Sequence, residues 1–279
     1  MSNEPQRYIR VLSIAGSDSG GGAGIQADLK TFAALGCYGM TAITALTAQN
    51  TLGVSGIHGV PPEMLKAQLS AVLDDIGVDA VKIGMLHAPD IVRTVAWALK
   101  HYGVKQVVLD PVMVATSGDR LIAADTVQVL VAELFPLATV VTPNLDEAAL
   151  LLGRPIGGAH ELEAAARDLL AMGTQAVLLK GGHLPGDTVT DLLLSRSGEP
   201  RRLSSPRIAS RNTHGTGCTL SSAIASYLAL GQPLEQAVAQ ARAYILQAIA
   251  QGADVYTGAG HGPLNHGHAP VATAKVTRG

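Results

Sequence analysis

Short, almost entirely apolar segments alternate with longer amphipathic segments along most of the chain. The short segments are rich in Val, Ile, Leu and Ala, which is typical of strands buried in a parallel sheet. They predict strands at residues 8–15, 39–45, 80–84, 106–109, 139–142 and 176–180. The longer segments repeat apolar residues at helical spacing. They predict helices at residues 25–35, 62–76, 89–102, 123–134, 145–152 and 161–172.

This alternation predicts an α/β fold, with a central mostly parallel β-sheet and helices on both faces. Residues 189–194 and 201–203 flank a Gly-Glu-Pro turn and predict a late hairpin. Two helices, at 219–230 and 234–251, then complete the chain.

The 279 residues are enough for one large domain, and no linker or charge run divides them. We therefore expect a single domain over residues 1–279, with 1–7 and 269–279 frayed and the Gly- and His-rich tail from 252 packed irregularly or frayed. Hydrophobic residues make up 47% of the chain and charged residues 15%, which argues against disorder. A net charge of −2 offers no basic field for nucleic acid.

The cysteine content and the amino-terminal residues predict the cellular compartment of the protein. Cys37 and Cys218 are the only cysteines and form no C-x-x-C pair, so neither a disulfide framework nor a cysteine zinc site is predicted. Residues 1–10 lack the apolar region of a secretory signal, and the apolar stretch 220–230 is too short to span a bilayer. We expect a cytoplasmic protein with no membrane partner.

The first predicted strand runs into a loop, residues 16–24, that contains five glycines and Asp18. Ligands of open α/β sheets bind beyond the carboxyl ends of strands, so this loop is well placed to approach one. A flexible surface turn is the alternative. Residues 22–27 also satisfy a loose G-x-G-x-x-A dinucleotide fingerprint, but Gln49 and Asn50 stand where its acidic residue belongs.

Oxygen-bearing side chains follow two later strands. Asp110 precedes a proline, and Asn144 and Glu147 share one face of the first turn of a helix. Such ligands suit a hydrated Mg²⁺ that also contacts phosphate. Helix capping by Asn144 and Glu147, and a turn at Asp110, are the structural alternatives. Lys180 ends a strand, where it either meets a phosphate or is simply solvated.

A second glycine-rich turn, Asn212-Thr-His-Gly-Thr-Gly-Cys218, leads directly into a helix. Its free amides and the helix dipole favour an anion, and the chain contains no P-loop. The same dipole predicts a lowered pKa for the Cys218 thiol, which could then act as base or nucleophile. An inert Cys in a turn before a buried helix is equally compatible. The tail histidines, His261, His266 and His268, lack helical spacing and predict no metal site.

Taken in order, these strings resemble the ribokinase-like superfamily, and within it the hydroxymethylpyrimidine/phosphomethylpyrimidine kinases of thiamine biosynthesis. The likeness covers roughly residues 8–268. It is carried by the residues at 14–18, 21–32, 44–51, 82–86, 142–144, 180–183 and 212–218.

The resemblance implies transfer of the γ-phosphoryl of ATP to a pyrimidine hydroxymethyl group and then to the resulting monophosphate. It assigns Gly215 and Gly217 to an anion hole, with Lys180 neutralising charge and Cys218 in the place of the Asp base of other ribokinase-like enzymes. It implies Mg²⁺ at Asp110 and Glu147. The implied nucleotide residues are Asn144, Lys180, Thr213, His214, Gly215, Thr216 and Gly217, and the implied pyrimidine residues are Gly16, Ala23, Gln49, Met85 and Val112.

Three other functions remain open on sequence. Some relatives with this fold and a cysteine at this position phosphorylate pyridoxal, whose ring also carries a hydroxymethyl arm. A non-catalytic pyrimidine-binding regulator and a dinucleotide-dependent oxidoreductase fit less well, because the kinase residues are present and the acidic marker is absent. The family resemblance also implies a homodimer.

Overall fold

The computed structural model describes residues 5–113 and 122–277, and these have an α/β fold built around a nine-stranded sheet. The first four and last two residues, where the chain was expected to fray, lie outside the described part. The strands are β1 Gln6–Tyr8, β2 Arg10–Asp18, β3 Tyr38–Asn50, β4 Gly53–Gly59, β5 Ala80–Ile83, β6 Val107–Leu109, β7 Val140–Val141, β8 Ala176–Leu179, β9 Thr188–Ser195, β10 Arg201–Pro206 and β11 Lys275–Thr277.

The helices match the predicted amphipathic segments closely. They are α1 Gly24–Ala34, α2 Pro62–Asp75, α3 Pro89–His101, α4 Ala124–Leu134, α5 Leu145–Leu152, α6 Leu162–Ala171, α7 Thr216–Ala229 and α8 Leu234–Ala250. Pro62 and Pro89 each begin a helix, a position that tolerates the missing proline amide.

The large sheet has the order β10-β9-β8-β7-β6-β5-β2-β3-β4. The six strands from β8 to β3 are parallel, and β4, β9 and β10 pair antiparallel at the two edges. The chain passes from β2 to β3 on one side and then to β5 on the other. Such a reversal opens a crevice at the carboxyl ends of the strands, where ligands bind in this class of fold.

Apolar side chains alternate between two faces of the sheet. On β8, Ala176 and Leu178 join the core under α7 and α8, whereas Val177 and Leu179 face the cluster that includes α6. The helix α7 is buried along most of its length, and it packs on α1 and α8. This packing fixes the amino terminus of α7 against the carboxyl edge of the sheet. The predicted two-sided α/β sheet is therefore confirmed.

Within the nine-stranded sheet, our predictions from the sequence missed one strand and the full length of another. We predicted that the second strand ends at residue 45, but β3 continues to Asn50 and pairs with β4. The strand β4 contains three glycines, Gly53, Gly56 and Gly59, a composition that weakens any strand pattern. The hairpin places Gln49 beside the crevice.

The chain ends pack against the domain in a way that the sequence did not predict. Gln6–Tyr8 pairs antiparallel with Lys275–Thr277, so these parts of the termini are paired, whereas we expected fraying there. Between α8 and β11 the tail is irregular but anchored: Leu264 lies in the core and the Val271 amide donates to the Ala34 carbonyl.

Candidate active site

A cavity of about 620 Å³ opens at the carboxyl edge of the sheet. It lies where the loops after β2, β5, β6 and β8 meet the amino terminus of α7. Its size is typical of small-molecule and cofactor sites. Every site residue predicted from the sequence lines it, namely Gly16, Ala23, Gln49, Met85, Asp110, Val112, Asn144, Glu147, Lys180, Thr213, His214, Gly215, Thr216, Gly217 and Cys218.

Asp18 holds the glycine-rich loop that follows β2. Its Oδ1 accepts from the Gly20 amide at 2.8 Å, and its Oδ2 accepts from the amides of Gly22 and Ala23 at 3.1 and 2.8 Å. Burial works to raise the pKa of Asp18, but the His214 hydrogen bond and these amides outweigh it and lower the pKa to about 2. The loop is therefore a fixed turn organised around a carboxylate.

The same carboxylate joins this loop to the turn before α7. His214 Nε2 lies 2.9 Å from Asp18 Oδ2, and both side chains are buried. The two backbones pack so closely that a Cβ on Gly22 would overlap the His214 ring, and one on Gly215 would overlap the Gly22 carbonyl. Gly215 also has φ +82°, which favours glycine. The two glycine-rich segments form one wall of the cavity.

The amino terminus of α7 faces a cation and a carboxylate. Its first i→i−4 hydrogen bond is that of the Thr219 amide to the Gly215 carbonyl, so the amides of Gly217 and Cys218 precede the helical ladder. A Cβ on Gly217 would lie 3.1 Å from Lys180 Nζ and 3.4 Å from Asp110 Oδ2. Helix amides and a lysine thus converge on one point of the cavity, as an anion site requires.

The Cys218 thiol is less acidic than the sequence led us to expect. Burial raises its pKa to about 11, and the nearby Lys82 ammonium and the Gly24 amide only partly oppose this effect. Our prediction of a lowered pKa was wrong. The helix dipole favours the thiolate, but removing the sulfur from water disfavours it more.

Asp110 and Lys180 form a buried ion pair beside this helix end. Lys180 Nζ lies 2.9 Å from Asp110 Oδ1, which also accepts from the Thr142 hydroxyl at 2.9 Å. Burial opposes ionisation of Asp110, but Lys180 and Lys82 outweigh it and lower its pKa. Lys180 is therefore committed to a carboxylate and is not a solvated strand-end side chain.

Asn144 and Glu147 do cap α5, as the structural alternative predicted. Asn144 Oδ1 accepts from the Glu147 amide at 2.9 Å, and Glu147 Oε2 accepts from the Asn144 amide at 2.8 Å. Both residues nevertheless line the cavity. Burial raises the pKa of Glu147 to about 7, since Lys180 offsets only part of the cost and Asp110 adds repulsion.

The end of the cavity near β3 presents Gln49 and Met85, and Val112 after β6 also lines the cavity. Gln49 lies 3.1 Å from the Thr47 hydroxyl and 3.4 Å from His214 Nε2. The Met85 Cε lies 2.8 Å from the position that a Cβ on Gly16 would take. This end combines one amide with apolar surface, which suits a polar heteroaromatic ring.

The opposite end is mainly apolar and comes from elements that we had not assigned to the site. It is lined by Val189, Pro206 and Ile208 near the β9–β10 hairpin and by Leu220, Ile245, Leu246 and Ile249 on α7 and α8. A buried ion pair closes it, with Arg242 Nε 2.7 Å from Asp191 Oδ2. Asp191 Oδ1 accepts from the Gly181 amide at 2.9 Å, which holds the turn after Lys180.

A comparison with sequence models of protein families identifies the family of this chain. The sequence model of a family described as phosphomethylpyrimidine kinase matches residues 18–265. The chain belongs to this family. The match confirms the family predicted from the sequence, and it includes residues 18–24 of the first glycine-rich segment, all of the second and Lys180.

Several members and neighbours are similar over most of their length. A hydroxymethylpyrimidine/phosphomethylpyrimidine kinase of Rhizobium meliloti is 54% identical over 259 residues, which cover 92% of this chain and 96% of that relative. A solved phosphomethylpyrimidine kinase of Clostridium difficile is 43% identical, has a TM-score of 0.76, and covers 86% of this chain and 99% of its own.

A solved pyridoxal kinase of Bacillus subtilis, an ADP complex, is 38% identical with a TM-score of 0.86. The similarity covers 93% of this chain and 98% of that one. These neighbours confirm the ribokinase-like fold. The structural similarity extends to a pyridoxal kinase, so the shared fold alone does not separate the two ring substrates.

Sequence reasoning missed several polar residues of this kinase site. Lys82 was the most visible of them, because a lysine within an otherwise apolar buried strand needs a partner. Asp18 was noticed in the loop, but its contact with His214 joins residues far apart in the chain. No pattern in the sequence indicated that Asp191 and Arg242 form an ion pair.

The tail histidines pack individually. His266 is buried, with Nε2 3.0 Å from the Thr219 hydroxyl, and burial lowers its pKa to about 4. Within residues 5–113 and 122–277, three or more His, Cys, Asp or Glu side chains nowhere cluster in a way that could hold a metal ion. Across the same residues, each helix is too short or too polar to cross a bilayer.

Proposed function

We propose that this kinase phosphorylates 4-amino-5-hydroxymethyl-2-methylpyrimidine with ATP, and then phosphorylates the monophosphate to the diphosphate, in thiamine biosynthesis. The observation that carries the proposal is a cavity with two different ends. The end at Gln49 and the apolar end at α8 belong to one cavity, which Lys180 and the first residues of α7 also line. A donor and an acceptor bound at these ends would bring their reacting groups to the same point.

ATP would occupy the end formed by α8 and the β9–β10 hairpin. Ile245, Leu246 and Ile249 offer apolar surface to the adenine, although the sequence assigned no residue to this contact. The phosphates would run from there toward Asn144, Lys180 and residues 213–217. The anion would then be held by backbone amides in place of a P-loop.

Phosphoryl transfer requires positioning and charge stabilisation more than covalent chemistry. The amides of α7 are held in place by Gly215 and by the packing of the two glycine-rich segments. Lys180 is held by Asp110 at 2.9 Å. Donors that are already oriented need no reorganisation as charge develops on the transferred group, so they favour the transition state.

Asp110 and Glu147 fit a role in holding Mg²⁺. Two buried carboxylates share this side of the cavity, and Glu147 has a pKa of about 7 because it is buried beside Asp110. A divalent cation satisfies such a pair, and oxygen ligands are the ones that Mg²⁺ prefers. When bound, Mg²⁺ would neutralise charge on the phosphates. Lys180 and the α7 amides supply the protein's own share of that neutralisation.

The pyrimidine would bind among Gly16, Ala23, Gln49, Met85 and Val112. An amide such as that of Gln49 both donates and accepts, which matches the edge of an aminopyrimidine. The adaptable Met85 side chain would pack on the ring. The hydroxymethyl arm would then point toward Cys218, whose sulfur, after releasing its own proton to solvent, would accept the hydroxyl proton as the new bond to phosphorus forms.

The test is a coupled ATP-turnover assay with hydroxymethylpyrimidine, its monophosphate and pyridoxal as acceptors. We expect the highest kcat/KM for the two pyrimidines. The proposal would be refuted if the enzyme failed to turn over ATP with each of these three acceptors.

Pyridoxal kinase is the second candidate, because the solved neighbour with a TM-score of 0.86 is a pyridoxal kinase. Its substrate also presents a heteroaromatic ring with a hydroxymethyl arm. A kcat/KM for pyridoxal at least about tenfold above that for hydroxymethylpyrimidine, or about 1.4 kcal/mol, would make this candidate the better description.

We further propose a homodimer that works in the cytoplasm. The strand β4 is an edge of the large sheet, and the β3–β4 hairpin exposes Leu46, Leu52 and Ile57 by 48%, 71% and 50%. Apolar side chains on a sheet edge are suited to self-association. Sedimentation equilibrium should give twice the mass of the chain, and Ile57→Lys should reduce that mass.

A further inference from the structure

A fully buried ion pair lies beneath the cavity, and no step described so far uses it. Lys82 Nζ is 2.9 Å from both carboxylate oxygens of Asp28, and both side chains are 0% exposed. The Ser13 and Ser222 hydroxyls donate to the same carboxylate at 2.5 and 2.6 Å. Removing two charges from water is costly, and an apolar pair of similar volume is often at least as stable. This pair therefore needs a reason beyond stability.

Lys82 also reaches the cavity. An ammonium has three donors, and two of them are directed at Asp28. Lys82 nevertheless contributes to the cavity wall. A Cβ on the neighbouring Gly84 would lie 3.1 Å from Lys82 Nζ, so glycine keeps this side of the ammonium open.

A contact between α1 and α7 sets the position of the ion pair relative to Cys218. The Ser222 hydroxyl on α7 donates to Asp28 Oδ1 on α1 at 2.6 Å. Cys218 and Ser222 are four residues apart on α7, so they lie on one face of the helix, about 5.4 Å apart along its axis. Lys82 binds the same carboxylate, and Lys82 and Cys218 both line the cavity. The ammonium therefore lies about one helical turn from Cys218.

The charged groups that face the Cys218 sulfur come from several elements. The ammonium groups of Lys82 on β5 and Lys180 after β8 favour a negative sulfur. The carboxylates of Asp28 on α1 and Asp110 after β6 oppose it. Lys180 is paired with Asp110, and it would also serve the phosphates. Lys82 has no such second task.

We propose that Lys82 is a positioning residue whose ammonium compensates the negative charge on Cys218 when the thiol releases its proton to solvent. The thiolate can then accept the proton of the substrate hydroxyl while that oxygen bonds to phosphorus. Asp28 holds the ammonium in place through both of its carboxylate oxygens. The inference rests on the proposed function of Cys218 as proton acceptor, but its test needs no substrate.

The test measures the rate at which iodoacetamide alkylates Cys218 in the free enzyme at pH 9, read from the Cys218 peptide by mass spectrometry. Only the thiolate reacts, so the rate reports how well the negative sulfur is stabilised. We expect Lys82→Met to react about tenfold more slowly, because a nearby opposite charge shifts such an ionisation by about one unit or more. We expect Asp28→Asn, which frees the ammonium from its counter-charge, to react faster.

Ser13→Ala is the matched control, because it removes a contact to the same carboxylate without changing any charge. Its alkylation rate should stay within about twofold of wild type. If Lys82→Met does not fold, as judged by circular dichroism, the double variant Lys82→Met/Asp28→Asn removes both charges and should also react more slowly. A rate within twofold of wild type in the folded Lys82 variant, or a slower rate in Asp28→Asn, overturns the proposal. Either result leaves the pyrimidine kinase assignment to its own assay.

Discussion

Asp18→Asn should destabilise the protein measurably although it changes one carboxylate to an amide of the same shape. Asp18 Oδ2 faces the amides of Gly22 and Ala23 and the His214 ring, and Oδ1 faces the amide of Gly20. An asparagine must turn its NH₂ group toward one of these sets of donors. It also loses the negative charge that strengthens every one of these hydrogen bonds.

The size of the effect follows from the pKa of Asp18. A fall from 3.8 to about 2 means that the folded state favours the ionised carboxylate by about 2.5 kcal/mol, at about 1.4 kcal/mol per unit. Because the folded pKa lies below the unfolded one, this stability is present above about pH 4 and is lost as the pH falls toward 2. We therefore expect Asp18→Asn to lower the free energy of unfolding by about 2.5 kcal/mol at pH 7, and by less with increasing acidity.

Urea unfolding followed by circular dichroism, at pH 7 and at intervals down to the lowest pH at which both proteins fold, measures this difference. Asp90→Asn is the control, since Asp90 is 73% exposed and its ion pair with Arg93 is solvated. It should cost less than about 0.5 kcal/mol. An Asp18→Asn difference as small as that of the control, or one that grows in acid, would refute the reasoning.

Three further variants test the catalytic end of the cavity. Cys218→Ala should lower kcat at least about 100-fold with an unchanged melting temperature, because it removes the proton acceptor; near-normal kcat would remove that assignment. In the wild type, kcat should rise with pH toward the raised Cys218 pKa of about 11, and a flat profile from pH 7 to 10 would contradict a required thiolate. Gly217→Ala places a Cβ 3.1 Å from Lys180 Nζ, so it should reduce kcat/KM for ATP about 100-fold while the circular dichroism spectrum stays native. Unchanged kinetics would exclude the α7 amides as the phosphoryl site. Lys180→Met should both lower kcat and destabilise the fold by about 3 kcal/mol in urea, since it leaves Asp110 buried without its partner, and a loss of activity alone would contradict the ion pair.

Local patterns in the sequence predicted most of the fold. The spacing of apolar residues in strands and helices is a local property of the sequence. The βα units and the glycine-rich turn before α7 were therefore predicted correctly. The β3–β4 hairpin was not, because Gly53, Gly56 and Gly59 interrupt the strand pattern and the pairing with β3 supplies the order. The ends of a strand that is ordered by pairing depend on residues of the partner strand, and the local sequence alone does not indicate which residues those are.

For the site, residue types were predictable and their electrostatic states were not. A glycine-rich turn before a helix marks an anion site by local geometry alone, and the cavity contains every residue assigned to it. The pKa of Cys218 depends on burial and on Lys82 and Asp28, which come from other elements. The Asp18–His214 contact likewise joins two loops that meet only after the sheet has formed. Such properties follow from tertiary packing.

Phosphorus NMR of the products formed from ATP and hydroxymethylpyrimidine tests the central claim most directly. A ring and a nucleotide that meet at Lys180 and the α7 amides should give a phosphate monoester first, and then a diphosphate with two coupled resonances, as ATP is converted to ADP. Release of inorganic phosphate alone, or a phosphorylated product from pyridoxal but none from the pyrimidine, would contradict the account.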